Sequence, residues 1–196
     1  EHIPDSLTRV FHTANGREVR DGGGIMPDME VKPDSLPNIV FYLASSGMDS
    51  TEVMLDYVVN YIATHEKIAP ASEFDLTDEE YEDFKRLVLK SGFTYDHESE
   101  KYLANLEKLA KFEGYYEEAR EDFERLKKKL THNLGHDLDY NKEDIKQMLA
   151  SEILAAYYYQ AGVTEYGLRY DTQMAKAVKL INSPAEYKAL LTPKKK

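Results

Sequence analysis

Two histidines four residues apart, His132 and His136, and oxygen-bearing side chains at alternate positions, Asp137, Asp139 and Asn141, come closest in this sequence to a metal-binding pattern. Histidines at i and i+4 share a helix face, and an Asp-x-Asp-x-Asn run copies the first three ligand positions of a calcium loop. Neither pattern closes. The calcium loop needs glycine at its sixth position and a bidentate acid at its twelfth, where this sequence has Lys142 and Met148. The histidine pair straddles Gly135 at an expected helix end, and its spacing supplies no third ligand. It reads as a solvated, capping or salt-bridged pair rather than a zinc site.

The remaining chemistry-bearing residues form no complete site. The triplet Gly22 to Gly24 could cradle an anion on its backbone amides. A phosphate loop, however, continues into Lys and Ser or Thr, and a dinucleotide loop into a further spaced glycine. Here Ile25, Met26, Pro27 and Asp28 follow, so the triplet reads as a structural turn. Tyr157, Tyr158 and Tyr159 are consecutive, and on a helix they point ~100° apart and cannot make one stacking platform; core packing with one ring on a neighbouring surface is expected. The acids Glu73, Asp75, Asp78, Glu79, Glu80, Glu82 and Asp83 read as a solvated helix start that favours the helix dipole. Neither a G-x-S-x-G elbow nor an S-x-x-K arrangement occurs, and spacing picks no glycosidase pair out of 36 acidic residues. No catalytic, cofactor-binding or metal-binding residue is therefore assigned.

Composition narrows the class. With 25 Lys plus Arg against 36 Asp plus Glu the net charge is -11, which repels phosphate backbones and argues against a nucleic-acid partner. A hydrophobic content of 42% over 196 residues can fill a core of one domain or two small ones. No cysteine is present, which excludes disulfides and thiolate chemistry without locating the compartment. The longest apolar runs, Asn38 to Ala44 and Ile153 to Tyr159, fall short of the ~20 residues that span a bilayer.

The elements that must position these residues are mainly helical. Asn15-Gly16, flanked by Val10 to Thr13 and Arg17 to Arg20, predicts a β-hairpin whose two turn residues both take positive φ, and Met29 to Val31 predicts a second short strand segment. From about Asp34 the period becomes helical. Leu36, Ile39, Val40 and Leu43 predict a helix ending at Gly47; Asp49 or Ser50 starts another, with Val53, Met54, Tyr57, Val58, Tyr61 and Ile62 on one face. Thr77 and Glu80 form a capping box for a helix that Gly92 stops. Apolar residues from Tyr102 to Leu130 at threes and fours predict one helix, roughly 40 Å long, bent at Gly114. Asn141 is expected to cap a helix burying Ile145, Met148, Leu149, Ile153, Ala156 and Tyr157. Thr172 to Ile181 and a last helix opened by a Ser183, Pro184, Glu186 capping box complete the chain.

One segment points to a family. Phe11-His12-Thr13-Ala14-Asn15-Gly16-Arg17-Glu18-Val19, continuing through Gly22-Gly23-Gly24-Ile25-Met26-Pro27-Asp28-Met29-Glu30-Val31, resembles the end of the peptidase core of the bacterial carboxy-terminal processing, or tail-specific, proteases. Glu152-Ile153, Tyr157 to Gly162 and the ending from Ala177 to Leu191 resemble the helical tail of the longer envelope forms. The resemblance implies a serine nucleophile with a lysine general base, a PDZ domain that presents the substrate's free C-terminus, and no cofactor. The family's Gly-Ser-Ala-Ser-like and Thr-Phe-Gly-Lys-Gly-like turns lie N-terminal to the Gly-Arg segment and do not occur here. No catalytic residue is carried over, and Ser45, Ser46 and Lys90 offer no basis as substitutes.

The resemblance thus implies the C-terminal fragment of a serine endopeptidase. Residues 1–33 would be the terminal strands of an α/β peptidase core, and 34–196 a mainly α, multi-helix C-terminal domain. The fragment alone would be inactive and act as a scaffold or oligomerisation region. Its partners would be the rest of the core, the PDZ domain, the parent's protein substrate and a second copy of the chain, in the bacterial periplasm. The rival expectation is a stand-alone helical interaction or adaptor protein with no catalytic role.

Overall fold

The computed structural model describes residues 3–4, 7–22, 24, 27–32, 35–45 and 52–192. In chain order these form strands β1 (Val10–His12) and β2 (Glu18–Arg20), then helices α1 (Asn38–Ala44), α2 (Val53–Thr64), α3 (Asp78–Ser91), α4 (Glu98–Glu113), α5 (Tyr116–Leu130), α6 (Leu134–Tyr140), α7 (Lys142–Gly167), α8 (Thr172–Ile181) and α9 (Pro184–Leu191). The fold is mainly α, 66% helical, with a short antiparallel hairpin near the N-terminus. Two compact units result: residues 1–34 together with 168–196, and residues 35–167. No helix among the described residues is long and apolar enough to cross a membrane.

In the first unit β1 and β2 pair as Val10 with Arg20, Phe11 with Val19 and His12 with Glu18. The turn differs from expectation. Gly16 N–H donates to Thr13 O at 2.8 Å, Thr13 N–H to Arg17 O at 2.9 Å, and Gly16 alone takes positive φ (76°). This is a three-residue loop ending in a left-handed glycine, which needs one positive φ instead of the two of a two-residue turn. The expected strand at Met29 to Val31 is not formed: the two described strands pair only with each other, and this segment lies along α8 and α9 without a ladder partner. Asp171 caps α8 by accepting from Met174 N–H at 2.8 Å. The capping box expected at Ser183 is absent: its side chain makes no cap hydrogen bond, its backbone at ψ 78° falls short of the extended region, and Pro184 at the first position sets the entry instead.

The second unit holds the buried core, all of it between Ile39 and Tyr166. Thr77 supplies the capping box of α3 as expected: Glu80 N–H donates to Thr77 Oγ1 at 3.2 Å and Thr77 N–H to Glu80 Oε2 at 2.7 Å, while Gly92 ends the helix in the left-handed region. That fixes the phase at which Tyr81, Phe84 and Val88 enter the core, each fully buried. Phe84 meets Tyr57 of α2 edge-on at 5.3 Å between ring centres. On the other side Ile145, Leu149, Ala150, Ile153 and Leu154 of α7 are fully buried. Ala156, expected in that stripe, is exposed, because the buried face runs through Ala150 and Leu154. The predicted end at Gly47 and starts at Asp49 or Ser50 lie outside the described residues.

Residues 102–130 do not form one bent helix. Gly114 takes φ 83°, Tyr115 N–H reaches back to Ala110 O at 3.0 Å and Gly114 N–H to Lys111 O at 3.4 Å, the paired bonds of a left-handed helix cap. The chain therefore reverses, and α4 and α5 pack on each other as an antiparallel hairpin. Asn141 does not cap α7 through its side chain: its Nδ2 donates to Asp137 O at 2.7 Å while its carbonyl accepts from Ile145 N–H at 3.0 Å, joining α6 to α7. The short helix α6 has no counterpart among the elements the sequence predicts.

Candidate functional site

The hairpin at Gly114 brings the start of α4 back to the end of α5, and histidines from both ends meet there. His97 occupies the N-cap of α4 and His132 follows α5; their rings stack at 3.8 Å and 18°. Asp137, in the first turn of α6, lies beside them with its Oδ2 3.2 Å from His132 Nδ1. Tyr95 Oη donates to the same Oδ2 at 2.9 Å, and Ser99 Oγ sits 2.9 Å from His132 Nε2. His132 N–H donates to Glu100 Oε1 at 3.2 Å, tying the two helix ends together.

The electrostatics favour positive charge. Burial works to raise the Asp137 carboxyl, but hydrogen bonds from Tyr95, His132 and His136 outweigh it and hold the group below the usual carboxylate range. Burial and the Asp137 charge push the Tyr95 phenol up, so it stays a neutral donor. Beside the cluster opens a cleft of about 290 Å³ whose charged lining is Asp96, Glu98 and Asp137 with the histidines, and no Lys or Arg. A ring nitrogen of His97, one of His132 and a carboxylate oxygen of Asp137 all lie within 4.8 Å of one another. Ser99, His132 and Asp137 stand in file, but the cleft lining supplies no Lys or Arg for an oxyanion; Asp96 and Glu98 are paired with Lys101 at 2.6 and 3.4 Å, which leaves Asp137 as the acid beside the two imidazoles.

The sequence pointed to half of this site. His132 belongs to it, whereas His136 is 74% exposed, stacks on Tyr140 and only reaches Asp137 Oδ1 at 3.5 Å. Asp139 instead pairs with Lys85, and because Asp137, Asp139 and Asn141 lie along and just past a helix, their oxygens do not converge as in a calcium loop. His97, Tyr95 and Ser99 carry no signal in the sequence, since their proximity to His132 depends on the chain reversal at Gly114. Ser45 Oγ donates to Phe41 O at 2.8 Å; Lys90 lies in the last turn of α3, and Ser46 is outside the described residues.

The tyrosine triplet sits at a break in α7. Tyr159 takes φ 55° and ψ -160° and is 77% exposed, an unusual backbone state for a bulky residue. Tyr157 Oη donates to His65 O and Tyr158 Oη to Ile68 O at 3.1 Å, so two of the rings pin the connection after α2 and the third faces solvent. Gly22 and Gly24 both take positive φ, as a structural turn requires; Gly23 lies outside the described residues. Within the first unit Arg17 pairs with Asp28 at 2.8 Å and donates to Leu190 O at 3.0 Å. The Gly-Arg and Pro-Asp halves of the Phe11 to Val31 segment are thus joined by one ion pair.

The α4–α5 hairpin also presents apolar surface. Tyr102, Leu106, Leu109 and Phe112 of α4 are 50 to 89% exposed, and α5 buries no residue fully. A helical hairpin with so little internal core is an arm whose stripe is available to another surface.

The second unit is a helical bundle that carries an apolar stripe on its α4–α5 hairpin. The chain belongs to the family described as "probable PDZ-protease, C-terminal helical domain", whose model matches residues 44–181. The match covers α2 to α8, including the Glu152 to Gly162 segment, and makes this a protease-associated helical domain. No curated protein and no solved structure matches the chain.

Proposed function

We propose that this chain is the C-terminal region of a serine endopeptidase of the tail-specific type and serves it as a scaffold, self-associating through the α4–α5 arm. The carrying observation is the exposed stripe Tyr102, Leu106, Leu109 and Phe112 on a domain whose family is a protease's helical domain. Four large apolar side chains on one face at spacings of three and four are costly to hydrate, and pairing with the same face of a second copy would remove them from water. The serine type rests on the resemblance of Phe11 to Val31 to the end of the family's peptidase core. On this reading the serine and lysine turns lie upstream, the fragment alone is inactive, and the parent cleaves proteins near their C-termini in the bacterial periplasm.

The test is to read the coding frame upstream of Glu1. The proposal expects a Gly-Ser-Ala-Ser-like turn, a lysine turn and a PDZ domain there. A start codon or an unrelated domain would overturn the protease reading and promote the helical adaptor.

A further inference from the structure

We propose that His97, His132 and Asp137 bind a zinc-class divalent cation in the cleft where the two ends of the α4–α5 hairpin meet α6. Two independent observations carry this. One ring nitrogen of each histidine and one Asp137 oxygen lie within 4.8 Å of one another, brought together from the cap of α4, the segment after α5 and the first turn of α6 in one compact unit. In addition, His97 Nδ1 is the one buried side-chain polar atom without a hydrogen-bond partner among the described residues. An orphaned buried nitrogen costs free energy unless something accepts its lone pair, and a cation at this point does so.

The geometry is close to what the ion needs. With metal–ligand bonds of ~2.0–2.1 Å a tetrahedral site has ligand atoms about 3.3 Å apart. His132 Nδ1 and Asp137 Oδ2 already stand at 3.2 Å. Binding asks the stacked imidazoles to tilt so that His97 closes by at most about 1.5 Å. The surroundings complete the design: Tyr95 Oη holds Asp137, and Ser99 Oγ, which can accept as well as donate, accepts a hydrogen bond from His132 Nε2–H once Nδ1 ligates the metal. The coordination position left by three protein ligands faces the cleft of about 290 Å³. Two imidazoles and one carboxylate are a borderline donor set suited to zinc rather than to calcium or magnesium.

The experiment is calorimetric titration of the chelator-treated 196-residue chain with Zn²⁺ at about pH 7.5. The proposal expects one ion per chain and a raised melting temperature. His97→Ala should weaken binding by about a hundredfold or more, while replacing the exposed His12 of β1, in the other compact unit, leaves binding as in the unaltered chain. His97→Ala is the decisive variant because its Nδ1 makes no hydrogen bond, and circular dichroism checks that the chain stays helical without the ring stack on His132. Absence of saturable binding up to about 100 μM Zn²⁺ overturns the proposal, as does binding that survives His97→Ala or that is lost in His12→Ala.

Discussion

Replacing Tyr81 by phenylalanine removes a single oxygen from the centre of the helical unit. Tyr81 is fully buried and its Oη donates at 2.6 Å to the carbonyl of Leu138, one of the last-turn carbonyls of α6 that the helix itself cannot satisfy. Burial, then the charges of Asp139, Glu82 and Glu143, push the phenol up, so it is a permanent donor in the physiological range. The phenylalanine ring keeps the apolar contacts and the position under Lys142 Nζ, 5.5 Å from the ring centre. What is lost is the bond, and a buried carbonyl is left unpaired, which costs about 1–3 kcal/mol. With a urea slope of about 2 kcal/mol/M, a loss of ~2 kcal/mol lowers the denaturation midpoint by about 1 M at unchanged slope. Far-UV circular dichroism is the assay, since the chain has no tryptophan. Tyr158→Phe is the control: its hydroxyl bonds Ile68 O at an exposed site, where water replaces it for under about 0.5 kcal/mol. A midpoint for Tyr81→Phe within error of the Tyr158→Phe value would refute the reasoning.

Glu80 should tie stability to acid pH. Burial raises its carboxyl, but bonds from Thr77 Oγ1, Thr77 N–H and Tyr61 Oη, with the His65 charge, hold it below the usual range. A depressed folded-state value means its stabilisation is fully present above about pH 4.5 and is lost as pH falls through the folded value, so Glu80→Gln should flatten the acid limb of a melting-temperature profile below that point. Gly114→Ala adds a Cβ that meets nothing within 4 Å, so its cost is the left-handed backbone alone, about 1–2 kcal/mol, visible as faster amide exchange across α5.

Capping chemistry carried most of what the sequence revealed. Thr77 with Glu80 marked the start of α3 and Gly92 its end, and Thr172 to Ile181 appears as read, because these signals act within one turn of backbone. The failures were tertiary. A heptad-like stripe from Tyr102 to Leu130 fits a continuous helix and an antiparallel hairpin equally well, and only the left-handed φ at Gly114 decides between them. The same reversal assembles His97, Ser99 and His132, so the cluster could not be read from spacing along the chain. Ser183 was misread for a subtler reason: the residue types of a capping box were present, but its backbone does not adopt the extended geometry that aims the hydroxyl.

Self-association through the α4–α5 arm is tested most directly by sedimentation equilibrium of the chain. A monomer has a mass of 22.6 kDa. The exposed stripe predicts a dimer or larger species at about 50 μM for the unaltered chain, and a monomer of unchanged helicity for Leu106→Lys with Leu109→Lys, which set like charges against each other across the pairing face. A monomer for the unaltered chain, or a paired lysine variant, would contradict it.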